Sequence, residues 1–457
     1  MQSIKEQKAE GKAIRKEQIA REQHGIWEVK KDREEVIRLI KGQEKTRSKH
    51  LLPLRHERMM VSPFTFYRGS AILQAVDLAS MPYTPLTVQA CGDAHISNFG
   101  IFGTPERRLV FDINDFDETF PGPFEVDMKR LCASIEICGR DRGFSKKERR
   151  AAVEEAALAY RKCMNAFSEM GNLEVWYSRL DLEDLVEKNP VFENKAQKEN
   201  MKKVLDKARS KNNDMALRKL TETVDGRIRI KSNPPLIVPI REMSKDERKN
   251  FNFDTDVRMA LELYAKTLPV DRQGLLKQYE PIELAHKVVG VGSVGTKAWI
   301  LVMLGRENGD PLVLQIKEAM PSVLEGKFGQ KPFRQNGRRV AVGQKLIQTV
   351  GDIFLGWFCV SSEDGKKGDY YVRQLWNQKG SFVLEDLSPD GLKGLSAMCA
   401  WNLAHAHAKT GNRHMIAGYL GKNEAFDQAM VKYAALYADQ SEADYETFCR
   451  WVKKNDK

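Results

Sequence analysis

The sequence predicts an α+β fold with two lobes, in which a helix-rich half precedes a half built mainly from strands. Two stretches rich in glycine or acidic residues, at 92–119 and 290–295, predict this division because strand patterns flank both of them. Helical periodicity covers most of the remaining chain, including both ends. The 457 residues are enough for two or three compact units with large buried cores.

The first part of the chain indicates helices around a short sheet. Residues 1–50 are polar with loosely spaced apolar positions, which predicts helices that wrap on the body of the protein. Residues 62–79 open with turn chemistry and continue as a helix. A strand at 86–90 precedes a hairpin with arms at 99–102 and 109–113. Further helices are predicted at 124–141 and 146–170.

The second part changes from helices to strands and back. Residues 175–280 indicate helical filler without chemistry, apart from one hairpin with Asp225-Gly226 in its turn. From Ala285 the pattern is typical of strands, two of which are joined by an Asn308-Gly309 turn. A helix at 337–350 comes next. The remaining chain is predicted as strands at 353–360 and 370–375, followed by helices to the C-terminus.

Composition is that of a soluble globular protein, with 42% hydrophobic and 30% charged residues. No run approaches the ~18 apolar residues that a membrane span requires. The charged N-terminus also lacks the apolar segment of a signal peptide. Seven cysteines are scattered without a CxxC pair, which favours reduced thiols over disulfides or zinc ligands. We therefore expect a cytoplasmic protein without a membrane partner.

The net charge of +11 favours an anionic partner, such as a nucleotide, an acidic substrate or nucleic acid. Nucleic acid is the weakest of these, because no zinc-finger spacing or RNA-recognition aromatic motif accompanies the charge. The sequence carries no signal for the oligomeric state.

The stretch GDAHISNFG and the later FDINDFDET contain the parts that phosphoryl transfer needs. Asp93 is the candidate base for an acceptor hydroxyl. His95, two residues later, is a further catalytic candidate, and a structural hydrogen-bonding role in holding the loop is favoured for it over a catalytic one. Asn98, five residues after Asp93, and Asp115 are candidate magnesium ligands, because magnesium prefers one or two carboxylates together with phosphate and water. Asp112 stands behind Asp115 as an alternative ligand, and Asp117 is another.

The downstream glycine motif predicts a phosphate-binding loop. Gly290, Gly292 and Gly295 match G-x-G-x-x-G, with Ser293 between them. A dinucleotide fold needs a helix directly after the third glycine, whereas here another strand pattern follows. Strand, glycine loop and strand indicate the nucleotide-covering sheet of kinase-like enzymes. Lys317, on the third strand, is then the lysine that neutralises phosphate, and Arg373 lies on the strand that faces the base mainly through its backbone.

Three segments resemble a known family: GDAHISNFG, INDFDET and GPFEVDMKRL are similar to motifs of aminoglycoside and choline phosphotransferases. The resemblance implies that Asp93 is the catalytic aspartate, that Asn98 and Asp115 bind magnesium, and that Asp127 braces the catalytic loop. Nearly the whole chain, from SPFTFYRGS to WNLAHAHA, also resembles a bacterial family of unknown function.

Compared with ordinary kinase-like chains, the order is inverted, because the glycine loop follows the catalytic loop by about 200 residues. A circular permutation explains this order when the original termini lie close together. The helix ending in LAHAHAKTG should then pack beside the GDAH segment. Because the helix at 337–350 has no Glu, Glu325 or Glu318 is expected to pair with Lys317. His405 and His407 do not share a helical face, which favours core positions over a metal pair.

The sequence thus predicts a two-lobed protein-kinase-like fold in permuted order that binds ATP and Mg²⁺ and transfers phosphate to an unidentified small-molecule or protein hydroxyl. One alternative is a nucleotide-binding pseudokinase or regulatory module, and another is an adenylyl transferase with the same site. A metallophosphoesterase is less favoured, because Leu355 and Arg413 stand at positions within its later metal-binding motifs. The predicted regions are a basic helical extension (1–60), a catalytic-loop region with a helical insertion (61–280), a glycine-loop nucleotide-binding region (281–385) and C-terminal helices that pack on the catalytic lobe (386–457).

Overall fold

The computed structural model describes residues 2–188, 195–244, 252–288, 290–305, 309–330, 332–361 and 367–455. Its composition of 54% helix and 16% strand confirms the α+β class. Within these residues no helix is both long and apolar enough to cross a membrane. The turn predicted at Asn308 lies outside the described residues.

The helices of the described residues are α1 (Ile4–Glu17), α2 (Val36–Glu44), α3 (Leu52–Met59), α4 (Pro63–Gly69), α5 (Ala71–Ala79), α6 (Phe124–Asp141), α7 (Lys146–Phe167), α8 (Asn172–Tyr177), α9 (Leu182–Lys188), α10 (Lys195–Ser210), α11 (Asn213–Leu220), α12 (Arg258–Ala265), α13 (Val270–Leu276), α14 (Asn336–Ile347), α15 (Pro389–Thr410), α16 (Arg413–Leu420) and α17 (Ala425–Asn455). The strands are β1 (Thr87–Ala90), β2 (Phe99–Gly103), β3 (Leu109–Ile113), β4 (Phe120–Pro123), β5 (Leu180–Asp181), β6 (Thr221–Val224), β7 (Arg227–Ile230), β8 (Ile237–Pro239), β9 (Glu280–Lys287), β10 (Ala298–Leu304), β11 (Pro311–Glu318), β12 (Gly356–Ser361) and β13 (Lys367–Gln374).

The helical half is organised around α6, which is buried along nearly its whole length. Helices α7, α15 and α17 pack on it. The residues that it buries are not all apolar. Its polar residues Asp127, Arg130 and Ser134 are also buried and donate or accept hydrogen bonds inside the half. Because a buried polar group is costly unless it is bonded, these positions indicate that α6 supports a site as well as a core.

The strand-rich half is one antiparallel sheet of six strands, in the order β12-β13-β11-β10-β9-β8. The alternation of β11 buries Leu312 and Leu314 in a cluster with α12 and α13 on one face. On the other face Val313 packs with Ile300 and with residues of α11. The sheet is therefore covered on both sides by helices that come partly from residues before 280.

Two short strands correct the prediction that residues 175–280 hold helices and a single hairpin. β5 pairs with β3, and β8 adds an edge strand beside β9. Strands of two or three residues are too short to show alternation. Pro239 also argues against a strand in the sequence, although proline is tolerated on an edge strand such as β8. The predicted Asp225-Gly226 turn is confirmed between β6 and β7, with φ values of 49° and 73°.

The helix predicted at 62–79 is two helices, α4 and α5, separated at Ser70. The Ser70 hydroxyl donates to the carbonyl of Phe66 over 2.7 Å, and the backbone at Ser70 leaves the helical region with ψ 38°. Arg55 bonds the freed carbonyl of Gly69 over 2.8 Å. Local side-chain bonding of this kind competes with the helix ladder and ends the first helix.

Both ends of the chain meet in the helical half. Helix α1 packs on α16, where Gly11 allows the backbones to touch, and the guanidinium of Arg21 donates to the carbonyl of Leu420 over 2.5 Å. The end of α15 lies beside β1, because the amide of Gln89 donates to the Thr410 hydroxyl over 3.1 Å. The N-terminal residues are thus helices wrapped on the body, and α15 reaches the GDAH segment.

Candidate functional site

Two adjoining cavities form one cleft between the helical half and the six-stranded sheet. The first, here called the aspartate cavity, has a volume of about 250 Å³ and is lined by Asp93 and Asn98. The second, here called the lysine cavity, has a volume of about 310 Å³ and is lined by Lys317 on β11. The residues that line both cavities are Asn114, Asp115, Gly290, Ser293, Arg373 and Lys379. The acidic and glycine-rich stretches of the sequence therefore meet at one place.

The loop that carries Asp93 is held from behind by Asp127 on α6. The amides of Cys91 and Gly92 donate to the two carboxylate oxygens of Asp127 over 2.6 and 2.9 Å. Nε2 of His407, on α15, lies 3.2 Å from the same carboxylate. These contacts give Asp127 the bracing role expected of it. His407 was expected only as a core residue, yet it joins α15 to the loop.

Arg130 on α6 holds one oxygen of Asp93. Its Nε donates to Oδ1 over 2.8 Å, while Oδ2 lies 3.8 Å from Nε2 of His95. Burial raises the pKa of Asp93, and the charges of Arg130 and Arg68 only partly offset that effect. Burial and the same two arginines hold the pKa of His95 well below its usual value, so its ring is neutral. Asp93 is therefore a better proton acceptor than an exposed carboxylate.

Asn98 and Asp115 lie together at the cleft. The amide nitrogen of Asn98 donates to the backbone carbonyls of Asp93 and Asp115 over 2.9 and 3.2 Å, which leaves its oxygen for a ligand. Burial alone would raise the pKa of Asp115, but nearby positive charges, led by Lys317, lower it to about 2. In the described part of the chain, no three His, Cys, Asp or Glu side chains are arranged to hold a metal ion. One carboxylate and one amide oxygen suit a hard cation that completes its shell with phosphate and water.

Lys317 is anchored by carboxylates of the acidic stretch. Its Nζ lies 2.5 Å from Oδ2 of Asp117 and 3.7 Å from Oδ1 of Asp115. The hydroxyl of Tyr371, on the neighbouring strand, donates to the other oxygen of Asp117 over 2.6 Å. Burial would lower the pKa of Lys317, but the two aspartates outweigh it and raise the pKa, so the amine is charged.

This arrangement corrects the expectation that Glu325 or Glu318 pairs with Lys317. Strand alternation turns Glu318 away from Lys317, and its Oε1 lies 3.7 Å from Nζ of Lys297 at the wall of the aspartate cavity. Glu325 lies in the turn after β11. The sequence predicted a partner close to the lysine along the chain, whereas the carboxylate comes from Asp117, which lies 200 residues earlier.

Helix α14 supports the acidic stretch with an arginine. The buried guanidinium of Arg339 donates to the carbonyls of Asp117, Thr119 and Met320 over 2.8, 2.7 and 2.7 Å. The helix therefore acts on the backbone that carries the partner of Lys317, and it does so without a Glu of its own.

The glycine loop between β9 and β10 lies at both cavities. Gly290 and Gly295 have φ values of 64° and 88°, where only glycine is free of steric cost. Gly290 and Ser293 line both cavities, and Gly292 lines the aspartate cavity. Gly295 lines neither of them. It packs on Arg47, where an added Cβ would lie 2.9 Å from the arginine Cβ.

Residues 47–58 grip the glycine loop through its carbonyl oxygens. The bonds run from Arg58 Nη1 to Gly290 O (2.5 Å), from Arg47 Nη1 to Val294 O (2.6 Å) and from Ser48 N to Gly295 O (2.8 Å). With these carbonyls already bonded, the polar groups that the loop can still offer to a ligand are mainly its amides, which bind anions.

Arg373 reaches the cleft with its side chain, whereas the sequence led us to expect mainly a backbone contact from its strand. Nη1 donates to the carbonyl of Asn114 over 3.0 Å, and Nε donates to Gln315 over 3.1 Å. Lys379 lies in the same shared region, where burial and the charge of Arg373 lower its pKa to about 7. Burial raises the pKa of Glu118 in the aspartate cavity to about 7. No local motif marks Lys379 in the sequence, whereas Glu118 belongs to the FDINDFDET stretch, where no role of its own was assigned to it.

Asp112, expected as an alternative metal ligand, does not line either cavity. One carboxylate oxygen accepts from the amide and hydroxyl of Thr349 over 2.7 and 2.8 Å, and the other accepts from the amide of Ile113 over 2.8 Å. Asp112 lies within β3, whose alternation turns its side chain inward, while Asp115 follows the strand and reaches the cleft.

The residues of the two later metallophosphoesterase motifs lie outside the cleft, although Asp93 and His95 of the first motif line it. Asp352 accepts from the backbone and side-chain amides of Gln374 over 2.6 and 2.9 Å. Asn412 caps α16. His414, the histidine after that motif, lies on α16, where its amide donates to Oδ1 of Asn412 over 3.1 Å. His405, which was expected at a core position, is buried with Nε2 lying 2.7 Å from the carbonyl of Val175. Neither cavity is lined by Asp352, Asn412, His414 or His405.

A family model described as "Uncharacterized protein conserved in bacteria (DUF2252)" matches residues 47–451 of the chain. No curated protein and no solved structure matches it. The description names no reaction, so the geometry of the cleft is the basis for a functional assignment.

Proposed function

The chain belongs to this family of uncharacterized bacterial proteins, and we propose that its cleft is the active site of a phosphotransferase that uses ATP and Mg²⁺. The observation that carries the proposal is the meeting of Asp93, Asp115 and Lys317 beside a glycine loop. Nζ of Lys317 lies 3.7 Å from Oδ1 of Asp115, and Asp115 lines the cavity that also contains Asp93. A base, a magnesium ligand and a phosphate-binding cation are the set that phosphoryl transfer uses.

The lysine cavity is the proposed nucleotide side of the cleft. Its lining combines Leu375 and Trp376, which suit a base, with Lys317, Arg373 and Lys379, which suit phosphates. The glycine loop adds backbone amides at Gly290 and Ser293. ATP binding would also give Lys317 a phosphate to neutralise beside its aspartate partners.

The aspartate cavity is the proposed acceptor side. Oδ1 of Asp93 is fixed by Arg130, so Oδ2 is the oxygen that would take the proton of an acceptor hydroxyl. Burial raises the pKa of Asp93, which favours this role. The neutral His95 neighbours Asp93 without competing for a proton at neutral pH.

Asn98 and Asp115 are the proposed magnesium ligands. Asp115 lines both cavities, and Asn98 lines the aspartate cavity. The free amide oxygen of Asn98 and the ionised carboxylate of Asp115 fit an oxygen-binding cation. Bound magnesium would supply charge neutralisation for the phosphates.

We further propose that the two halves correspond to a protein-kinase-like fold in permuted order. Three features support this assignment: the cleft between a sheet and a helical half, the glycine loop between β9 and β10, and the lysine on β11. The bond from Gln89 to Thr410 and the bond between His407 and Asp127 place α15 directly behind the Asp93 loop, as its position before a catalytic loop would require.

Thermal unfolding with ATP, ADP and AMP, each with and without Mg²⁺, tests the binding half of the proposal. We expect ATP with Mg²⁺ to raise Tm more than AMP, because the cations and the glycine loop contact phosphates and not the base. Indifference to every nucleotide would refute the proposal.

The chemistry is tested with ATP labelled at the γ- or the α-phosphate, incubated with the protein and a small-molecule extract. Transfer of the γ-label indicates phosphotransfer, and transfer of the α-label indicates the adenylyl alternative. Nucleotide binding without transfer of either label indicates the pseudokinase or regulatory module.

Two variants assign the roles. We expect Asp93→Asn to abolish transfer and to keep nucleotide affinity, because it removes the proton acceptor on the acceptor side. We expect Lys317→Ala to weaken ATP binding by about tenfold, or about 1.4 kcal/mol. Asp214→Asn and Lys453→Ala change exposed residues of the same types and serve as matched controls.

A further inference from the structure

The aspartate cavity contains two arginines that the proposed chemistry does not use, Arg68 on α4 and Arg47 before α3. We propose that they form an anion subsite, so that the acceptor carries a phosphate or carboxylate group beside its reacting hydroxyl. The assignment of the bound molecule as the phosphate acceptor rests on the proposed phosphotransferase function. The binding of an anion at the two arginines can be tested without any nucleotide.

Arg68 is in direct contact with no counter-charge among the described residues, although the charges of Asp93 and Glu385 act on it from a distance. In the described part of the chain its guanidinium has neither a hydrogen bond nor an ion pair, and its Nε is buried without a partner. Its guanidinium carbon lies over the ring of Phe64, 6.0 Å from the centroid. A charge in such a place is normally paired, so an anionic ligand is the missing partner.

Other buried arginines show what pairing looks like in this protein. Arg161 binds the carboxylate of Asp427 with an Nη2–Oδ2 distance of 2.7 Å, and Arg130 binds Asp93. Arg339 lacks a carboxylate but donates to three carbonyls. Arg68 differs from all of these because it contacts the cavity instead of a protein acceptor.

Arg47 adds a second positive charge with spare donors. Its Nη1 donates to the neutral carbonyl of Val294 over 2.6 Å, and among the described residues no carboxylate lies within ion-pairing distance. Two guanidinium groups at one cavity are suited to the oxygens of a phosphate or carboxylate, which they can bind in a bidentate manner.

The position of the pair assigns it to the acceptor and not to the nucleotide. Arg47 and Arg68 line only the aspartate cavity, together with Asp93, whereas Lys317 lines only the lysine cavity. The carboxylates that line this cavity would repel an anionic acceptor; they belong to Asp93, Asp115, Asp117, Glu118 and Glu318. The two arginines offset that repulsion and hold the anionic group while the hydroxyl faces Asp93.

The walls of the aspartate cavity favour a small molecule over a protein chain. They include Gln43 and Arg47, Arg68 to Ala71, the Asp93 loop and the glycine loop, together with the acidic stretch 114–118 and residues of the sheet half. A cavity of about 250 Å³ enclosed by so many segments is of the size that a small molecule fills.

Phosphoryl transfer leaves the anionic group of the acceptor unchanged. The acceptor hydroxyl gives its proton to Asp93, and its oxygen forms a bond to the γ-phosphorus of ATP. The bond between that phosphorus and the β–γ bridging oxygen breaks, and ADP leaves with the electron pair. The phosphate or carboxylate held by the arginines remains on the product.

The direct test is the binding of inorganic phosphate to the full-length protein, by calorimetry or ³¹P NMR. It is measured with and without ADP and Mg²⁺ to occupy the lysine cavity. We expect phosphate to bind in both cases. The affinity for phosphate should fall by tenfold or more in Arg68→Met and by less in Arg47→Met, and Arg68→Lys should retain part of it. Arg142→Met, at an exposed position, is the matched control.

The outcomes separate the subsite from the proposed function. If ADP does not bind but phosphate binding still depends on Arg68, the phosphotransferase fails and the subsite stands. If phosphate does not bind, or binds equally well to Arg68→Met, the subsite is refuted. It is also refuted if Arg68→Met weakens ADP as much as phosphate, because the arginine would then serve the nucleotide. Circular dichroism and Tm of Arg68→Met, compared with those of Arg68→Lys and the wild type, exclude loss of folding as the cause.

Discussion

Lys379 is the residue through which we expect nucleotide binding to be coupled to protonation. It lines both cavities, and burial together with Arg373 lowers the pKa of its amine to about 7. At pH 8 the amine of the free protein is therefore mostly neutral. A nucleotide phosphate nearby stabilises the charged form and raises the pKa, so binding takes up a proton.

Calorimetry of ADP binding at pH 8 in metal-free buffers of different ionisation enthalpy measures this uptake. We expect up to one proton in the wild-type protein, less at pH 6 where Lys379 is already charged, and close to none in Lys379→Met. Equal uptake in the wild type and the variant would show that another group titrates.

Residues that belong to one continuous motif were predictable, and residues that enter the cleft from elsewhere were not. Asp93, Asn98 and Asp115 lie within 23 residues of one another, so spacing alone placed them together, and the cleft contains all three. Arg47, Arg68 and Lys379 come from separate elements, and no local pattern distinguishes them from surface cations. Asp112, although close to Asp115 in sequence, lies outside both cavities, because spacing along the chain does not show which side of β3 a side chain occupies.

At the scale of elements, the grip of residues 47–58 on the glycine loop makes a separate prediction. Arg58 donates to the carbonyl of Gly290, the first residue of the motif. We expect Arg58→Ala to speed amide hydrogen exchange at residues 290–296 even without a ligand, because the loop loses one of its anchors. We also expect the substitution to lower the affinity for ADP severalfold, because a more mobile loop must be ordered when the nucleotide binds.

Arg58→Lys should restore part of the protection, and Arg142→Met should leave it unchanged. If exchange in the loop were the same in Arg58→Ala and the wild type, the bond to Gly290 would not order the loop. Adenosine, which has no phosphates, should bind both proteins alike.

Elements were predictable where the hydrophobic pattern repeats for several turns or residues. The long helices α6 and α7 and the hairpin β2–β3 follow from such patterns. Short elements escaped, because β5 and β8 are too brief to alternate. The break between α4 and α5 escaped because it depends on the Ser70 hydroxyl and on Arg55, not on a Gly or Pro.

At the scale of the molecule, the ion pair between Asp117 and Lys317 joins the two halves. The amine is buried and the carboxylate is partly buried, with 3% and 29% of their side chains exposed, so removal of either partner deprives the other of its nearest counter-charge. We expect Asp117→Asn and Lys317→Met each to lower the free energy of unfolding. The double variant should lose less than the sum, with a coupling of about 0.5–3 kcal/mol.

Urea denaturation of the four proteins measures this coupling. The pair Lys297 and Glu318, which are 3.7 Å apart, is a control at the end of β11, and its more exposed lysine should give a coupling under about 1 kcal/mol. Additive losses for Asp117 and Lys317 would mean that the two halves are held by other contacts.

The bond between Asp127 and His407 has a consequence for the newborn chain. The two residues are 280 positions apart, and the ring of His24 bonds Tyr419 across 395 positions. On a ribosome all six strands of the sheet are synthesised before α15 to α17. The helical half, which begins before the sheet in the chain, is therefore completed only after it, and the Asp93 loop acquires its backing only once α15 has been synthesised.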